Sequence, residues 1–139
     1  MNSGYKLYDV PNISTIQEMV LRSAELYIDK KALVDLMDYP IKELSYADLL
    51  KNIKLLGTGL LSLGIRERAH IAVIGENRAQ WGLTYLTALC YNMVIVPVDK
   101  NLPTNEILNI IHESESEAVV FSDSYLSLFQ EKAQSLKKV

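Results

Sequence analysis

Two apolar runs, residues 70–75 and 93–98, constrain this chain more than any other feature. After His70 neither run alternates polar with apolar residues. Strands without alternation are those covered on both faces, as in parallel sheets. Between them, residues 79–91 make an apolar segment of helical length, introduced by the polar turn Gly75-Glu76-Asn77-Arg78. The pattern predicts a βαβ unit with the right-handed crossover such units adopt.

The rest of the chain extends that alternation. Ser14-Thr15-Ile16-Gln17 reads as a capping box, with Ser14 as N-cap of a helix to about Tyr27. Ile16, Met19, Val20 and Leu26 form its expected apolar stripe. Residues 32–36 and 43–46 read as a hairpin at the edge of the domain. A second capping box, Ser45-Tyr46-Ala47-Asp48, opens a long helix that Gly64 ends. Leu49, Ile53, Leu56, Leu60 and Leu63 follow its period. Gly57 and Gly59 inside it imply a close approach to a neighbouring backbone, since each costs about 1 kcal/mol against alanine. Thr104 is the expected N-cap of a further helix, with Ile107, Leu108, Ile110 and Ile111 facing inward. Residues 118–121 read as a strand and 124–137 as a last helix, whose Lys137-Lys138 end suits the helix dipole. The expected fold is α/β: a doubly wound, mostly parallel sheet with helices on both faces and a short N-terminal β-hairpin. Residues 1–139 form a single α/β domain in this reading, with 1–13 an extended or partly ordered arm.

Composition narrows the function. The net charge is -3, and no basic run is longer than the pairs Lys30-Lys31 and Lys137-Lys138, so there is no electrostatic footprint for nucleic acid. Cys90 is the sole cysteine, which precludes an intrachain disulfide and suits a reducing cytoplasm. The first ten residues lack a signal-peptide pattern. Residues 81–98 are uncharged and reach the roughly 18 residues a membrane span needs. Asn92, Pro97 and the switch to β-branched residues after Met93 argue instead for a helix followed by a buried strand.

In a doubly wound sheet, ligands bind beyond the carboxyl ends of the strands. Three places qualify: residues 75–78, 99–101 and 122–124. The first is the best. Arg78 can hold an anion, and a helix start after Asn77 adds N–H donors. Asn77 and Arg78 are therefore the candidate cofactor-binding residues. The competing reading makes Asn77 only a helix cap and Arg78 only a surface charge or ion-pair partner. Gly75 stands too far from Gly82 for a dinucleotide fingerprint, and neither a P-loop nor a nucleophile elbow is present. His70 and His112 lack metal-type spacing and read as structural, and Cys90 reads as a small buried hydrophobe. Glu113, Glu115 and Glu117 read as a solvated acidic corner or a weak cation site. Asp35 and Asp38 flank the hairpin turn without further ligands. Trp81 reads as core, or as an anchor for a neighbour. No catalytic residue and no metal site emerge.

Lettering carries further than spacing. Leu44-Ser45-Tyr46-Ala47-Asp48-Leu49 resembles the "T-Y-x-E-L" helix start of AMP-forming adenylating enzymes. Leu56-Gly57-Thr58-Gly59-Leu60, with Leu63-Gly64-Ile65, resembles their "G-x-x-L-x-x-L-G-v" helix end. Ile71-Ala72-Val73-Ile74-Gly75-Glu76-Asn77-Arg78 with Trp81 is similar to "v-A-I-x-x-E-N-R-x-E-W". Val94-Ile95-Val96-Pro97-Val98-Asp99 is similar to "V-x-V-P-L-D", and residues 114–123 follow the family's next strand. The resemblance is to the acyl-CoA synthetase, luciferase and peptide-synthetase adenylation superfamily, and within it to bacterial long-chain fatty-acid–CoA ligases. Two departures stand out. Arg68-Ala69 replaces the usual Gly-Asp, and Tyr91-Asn92-Met93 replaces a usual glycine, where Asn92 tolerates a left-handed backbone.

The resemblance implies a parent enzyme that activates a fatty acid with ATP and Mg2+ to an acyl-adenylate, then passes the acyl group to coenzyme A. The family's Ser/Thr/Gly-rich phosphate loop, adenine-binding segment, magnesium-binding glutamate and catalytic lysine all lie downstream of this region. The chain is thus expected to be an N-terminal fragment of a larger adenylating-enzyme fold, inactive alone, whose partner is the remainder of that enzyme. Apolar surface meant for that remainder predicts self-association. The rivals are a standalone non-catalytic α/β interaction module, an aryl- or amino-acid-activating relative, and a flavodoxin- or receiver-type ligand binder. A receiver needs an acidic pair after the first strand, and none follows Gly75.

Overall fold

The computed structural model describes residues 11–37 and 39–132. In chain order the elements are α1 (Ile16–Leu26), β1 (Lys31–Asp35), β2 (Lys42–Ser45), α2 (Tyr46–Ser62), β3 (His70–Ile74), α3 (Ala79–Cys90), β4 (Val94–Pro97), α4 (Thr104–Glu113), β5 (Ala118–Phe121) and α5 (Leu126–Lys132). A 3-10 turn over Asp123–Tyr125 leads into α5. Most of the expected arm, Asp38 and the Lys137-Lys138 end lie outside the described residues.

β3, β4 and β5 form a parallel sheet in the order β4-β3-β5, and β1 and β2 form a separate antiparallel hairpin. Alternate residues of β3 feed two cores. Ile71, with Ala118 of β5, packs against Leu60 of α2 and Ala88 of α3. Ala72 and Ile74, with Val119, pack against Ile107 and Ile111 of α4 and Phe129 of α5. Helices therefore cover both faces, and the doubly wound arrangement is present. The continuous apolar run of residues 70–75 is explained by β3 being central. β4 reads the same way in sequence but is an edge strand, and Val94 and Pro97 are exposed.

Helix starts are set partly as the sequence predicts. The Ser45 box is complete: Ser45 Oγ accepts from Asp48 N at 3.1 Å and the Asp48 carboxylate accepts from Ser45 N at 3.1 Å. The first box is displaced by one residue. Thr15, not Ser14, is the N-cap of α1, and Glu18, not Gln17, reaches back to Ser14 N. Gln17 is used elsewhere, donating to the Cys90 carbonyl at 3.1 Å. The α1 stripe also differs. Val20 and Ala24 are buried, while Ile16, Met19 and Leu26 are exposed. Pro103, not Thr104, sits at the N-cap of α4, and no side chain caps it. Along α2, Leu49, Ile53 and Leu60 are buried and Leu63 is exposed.

Gly57 and Gly59 turn out unequal. A Cβ on Gly57 would fall 2.0 Å from Cε2 of Tyr91, so the close neighbour is an aromatic ring rather than a backbone. Among the described residues, nothing lies within 4 Å of a Cβ on Gly59. The two departures from the family pattern also resolve. Arg68 (φ 65°) and Asn92 (φ 54°) both adopt left-handed backbone, and Arg68 N donates to Asn92 O at 2.8 Å. The turns that a glycine makes in the family are thus kept here by residues with side chains. Non-glycine residues in this region cost roughly 1 kcal/mol. Arg68→Gly is therefore expected to raise stability by about 1 kcal/mol in urea denaturation, and Asn92→Gly by less. A destabilised Arg68→Gly chain would contradict this.

Among the described residues, no helix is long and apolar enough to cross a membrane. The run over residues 81–98 is divided between α3 and β4.

Candidate functional site

The order β4-β3-β5 places a topological switch at the carboxyl ends of β3 and β5, because α3 follows β3 on one face of the sheet and α5 follows β5 on the other. A cleft of about 370 Å³ lies there. Its floor is Val73, Val120 and Phe121. One wall is the start of α3, with Trp81 and Thr84, and the rim carries Glu76, Arg78, Ser122 and Ser124. Of the three loops singled out in the sequence, residues 75–78 and 122–124 meet at this cleft. The third does not line it: Asp99 turns back and accepts from Asn101 N at 2.9 Å. Gly75 permits the meeting, since a Cβ there would stand 3.1 Å from the Ser122 Cβ.

The helix start differs from expectation in an instructive way. Asn77 is exposed and does not cap α3. Arg78 occupies the N-cap position, with no side-chain cap of its own. The cap comes from Asp35, at the end of β1. Its Oδ2 accepts from Ala79 N at 3.3 Å and from Arg78 Nε at 3.1 Å, and its Oδ1 accepts from Met37 N at 3.0 Å. Asp35 is 3% exposed. Donation from Met37 N, then from Arg78 and Ala79, holds its carboxyl below the usual range, against the opposing effect of burial. The hairpin is thereby fastened to the cleft rim. Sequence reasoning left Asp35 without partners because Arg78 lies 43 positions away.

Glu76 is held ionised on the opposite rim. Hydroxyl donation from Ser122, supported by its own backbone N–H, by Ser124 and by nearby Lys100, lowers its pKa. Ser124 Oγ donates to Glu76 Oε1 at 3.2 Å and stands 2.7 Å from Ser122 Oγ. Trp81 is half-buried and stacks on Tyr85 with centroids 5.4 Å apart. Its ring is cleft wall rather than central core.

The remaining candidates are placed outside the cleft. His70 Nδ1 bonds the Ser114 carbonyl, and His112 is an exposed residue beside Glu113. Burial pushes the Cys90 thiol up, which suits a packing role rather than a nucleophile. Among the described residues, no three His, Cys, Asp or Glu side chains cluster as metal ligands. The cleft is lined by two carboxylates, Glu76 and Asp123, by the Arg78 guanidinium, by the hydroxyls of Thr84, Ser122 and Ser124, and by an aromatic wall, a set able to bind a polar ligand.

The chain matches the AMP-binding enzyme family over residues 20–139 and belongs to it. It is 26% identical over 114 residues to YngI of Bacillus subtilis, a candidate acyl-CoA synthetase, covering 81% of this chain and 20% of that protein. It is 33% identical over 98 residues to a chloroplastic long-chain-fatty-acid–[acyl-carrier-protein] ligase of Arabidopsis thaliana, covering 70% and 14%. In fold it is similar to the anthranilate CoA ligase AuaEII, solved with anthranoyl-AMP. The TM-score is 0.80 at 16% identity, over 93% of this chain and 25% of that one. The chain spans no more than about a fifth of the length of the curated relatives it matches.

Proposed function

We propose that residues 1–139 form the N-terminal α/β domain of an AMP-forming acyl-CoA ligase, and that the domain alone does not adenylate. The carrying observation is the family match, which falls on the β3–α3–β4 unit and its flanks within a chain that has no Ser/Thr/Gly-rich phosphate loop. In this reading the whole enzyme acts in the cytoplasm. It uses ATP and Mg2+ to activate a medium- to long-chain fatty acid and transfers the acyl group to coenzyme A. The domain scaffolds one side of the acyl-adenylate cleft. Arg78, on the cleft rim, is its better candidate contact with a bound ligand, since Asn77 does not line the cleft.

The likeness to an acyl-CoA synthetase and to a fatty-acyl carrier-protein ligase supports the fatty-acid reading. Pyrophosphate release tests it. This chain with ATP, Mg2+ and palmitate is expected to release none above background, and release would overturn the inactive-scaffold reading. The reading frame beyond Val139 is expected to encode a Ser/Thr/Gly-rich loop. The protein so extended should favour palmitate or octanoate over anthranilate, and the opposite order would assign it to aryl acids.

Apolar surface supports a domain made to be covered. Leu36, Met37 and Tyr39 at the hairpin tip are 73%, 69% and 100% exposed. Large exposed apolar patches mark interaction sites. Self-association is expected to appear in light scattering as an average mass that rises with concentration. A strictly monomeric mass at high concentration would count against it.

A further inference from the structure

Where α1 packs on α2, a groove of about 660 Å³ stays open. Ile28, just past α1, and Leu50 and Leu55 of α2 make it apolar, and Glu25 stands at its rim. Ile28 and Leu55 are 55% and 60% exposed. A shallow depression continues from Glu25 along the outer face of α1, through Arg22 and Leu21, to Thr15. Residues three and four apart share one helix face, so Leu21, Arg22 and Glu25 form a single stripe leading to the groove. Leu21 is exposed as well. Exposed apolar surface of this kind marks a place for something to bind. The stripe begins where the chain enters α1, since residues 11–15 lead directly to its N-cap, Thr15.

We propose that the chain's own residues 5–10 fold back along α1 and fill this groove. Tyr5-Lys6-Leu7-Tyr8-Asp9-Val10 offers four apolar or aromatic side chains, one cation and one anion. Six extended residues span about 20 Å, and the 11 residues of α1 rise about 16 Å. The segment is therefore long enough to run the length of the helix. Pro11 biases Val10 toward extended backbone, which suits such a path. A chain returning from Thr15 meets Leu21 and Arg22 first, then Glu25 and Ile28. It presents Val10 and Asp9 first, then Leu7, Lys6 and Tyr5. Opposite charges thus meet in order, Asp9 on Arg22 and Lys6 on Glu25, while Leu7 and Tyr5 reach the apolar groove. The other terminal segment, residues 133–139, follows α5, which covers the opposite face of the sheet from α2. Neither the groove nor the segment depends on the ligase reading.

Disulfide trapping in the 139-residue chain tests the placement. Leu126, exposed on α5 across the sheet, supplies the control position. Tyr5→Cys with Leu55→Cys is expected to cross-link within one chain at least about tenfold faster than Tyr5→Cys with Leu126→Cys, because docking raises the effective concentration of one thiol at the other. Mass spectrometry of the bonded peptides separates this link from any bond to the buried Cys90. Lys6→Glu sets like charges together and should slow the cross-link about threefold or more. Adding Glu25→Lys should restore the native rate. If Leu55→Cys unfolds the chain, Thr58→Cys in the same groove replaces it. Equal rates for the two pairs, cross-linking only between copies, or indifference to Lys6→Glu would overturn the proposal.

Discussion

Asp35→Ala is expected to lower the melting temperature by roughly 10 °C, because it removes the carboxylate that fastens the hairpin to the cleft rim. Asp35 accepts from three donors on three parts of the chain: Met37 N in the hairpin, Arg78 Nε in the loop, and Ala79 N at the start of α3. Alanine would leave a part-buried guanidinium and a helix N-terminus without that acceptor. Removing one partner of a buried pair costs more than the pair contributes when intact. Asp35→Asn keeps an acceptor but not the charge and should fall between alanine and the native residue. The pH dependence carries a definite sign. The folded-state pKa of Asp35 lies below its unfolded value, so its stabilisation is complete above the unfolded value of about 4. It is lost as pH falls through the folded-state value. Asp48 and Glu76 are lowered in the same direction. The Asp35→Asn chain should therefore lose stability on acidification less steeply than the native chain, not independently of pH. Circular-dichroism melts between pH 7 and pH 3 decide the matter. An Asp35→Ala melt within about 2 °C of native would remove Asp35 from its fastening role.

Gly57→Ala and Gly59→Ala are expected to move stability in opposite directions, although both sit inside α2. Glycine inside a helix costs about 1 kcal/mol against alanine, so each substitution gains about that much from backbone propensity. At Gly59 nothing opposes the gain, and about 1 kcal/mol of stabilisation is expected. At Gly57 the new Cβ would overlap the Tyr91 ring, which is anchored by its hydroxyl donating to Lys54 O at 3.2 Å. Displacing the ring loses that bond and opens packing among Leu60, Ala88 and Met93, against which Tyr91 lies. Overpacking of this kind costs about 1–3 kcal/mol. A net destabilisation of about 2 kcal/mol is expected in urea titration. Tyr91→Leu in the same chain should recover part of it by clearing the contact. Stabilisation at both glycines would show that Tyr91 moves aside freely.

The sequence by itself determined the βαβ unit, the doubly wound class, the Ser45–Asp48 capping box and the family. These rest on short-range periodicity and lettering, and short-range signals are written in the order of the residues. Asn92 in its left-handed turn was legible for the same reason. Only the tertiary structure decided that β4 lies at an edge, since a continuous apolar run reads alike in a central strand and in an edge strand lined by helices. The same holds for the two glycines, which have the same propensity and differ only in what stands across from them. It holds most of all for Asp35. Nothing near residue 35 signals a partner at Arg78, and Asn77 next to the helix start offers a plausible local cap. The fold overrode that local choice because a buried carboxylate 3.1 Å from a guanidinium and 3.3 Å from a helix N–H satisfies more donors than an exposed amide can. Distance along the chain hides such a contact, and chain reversal through the hairpin creates it.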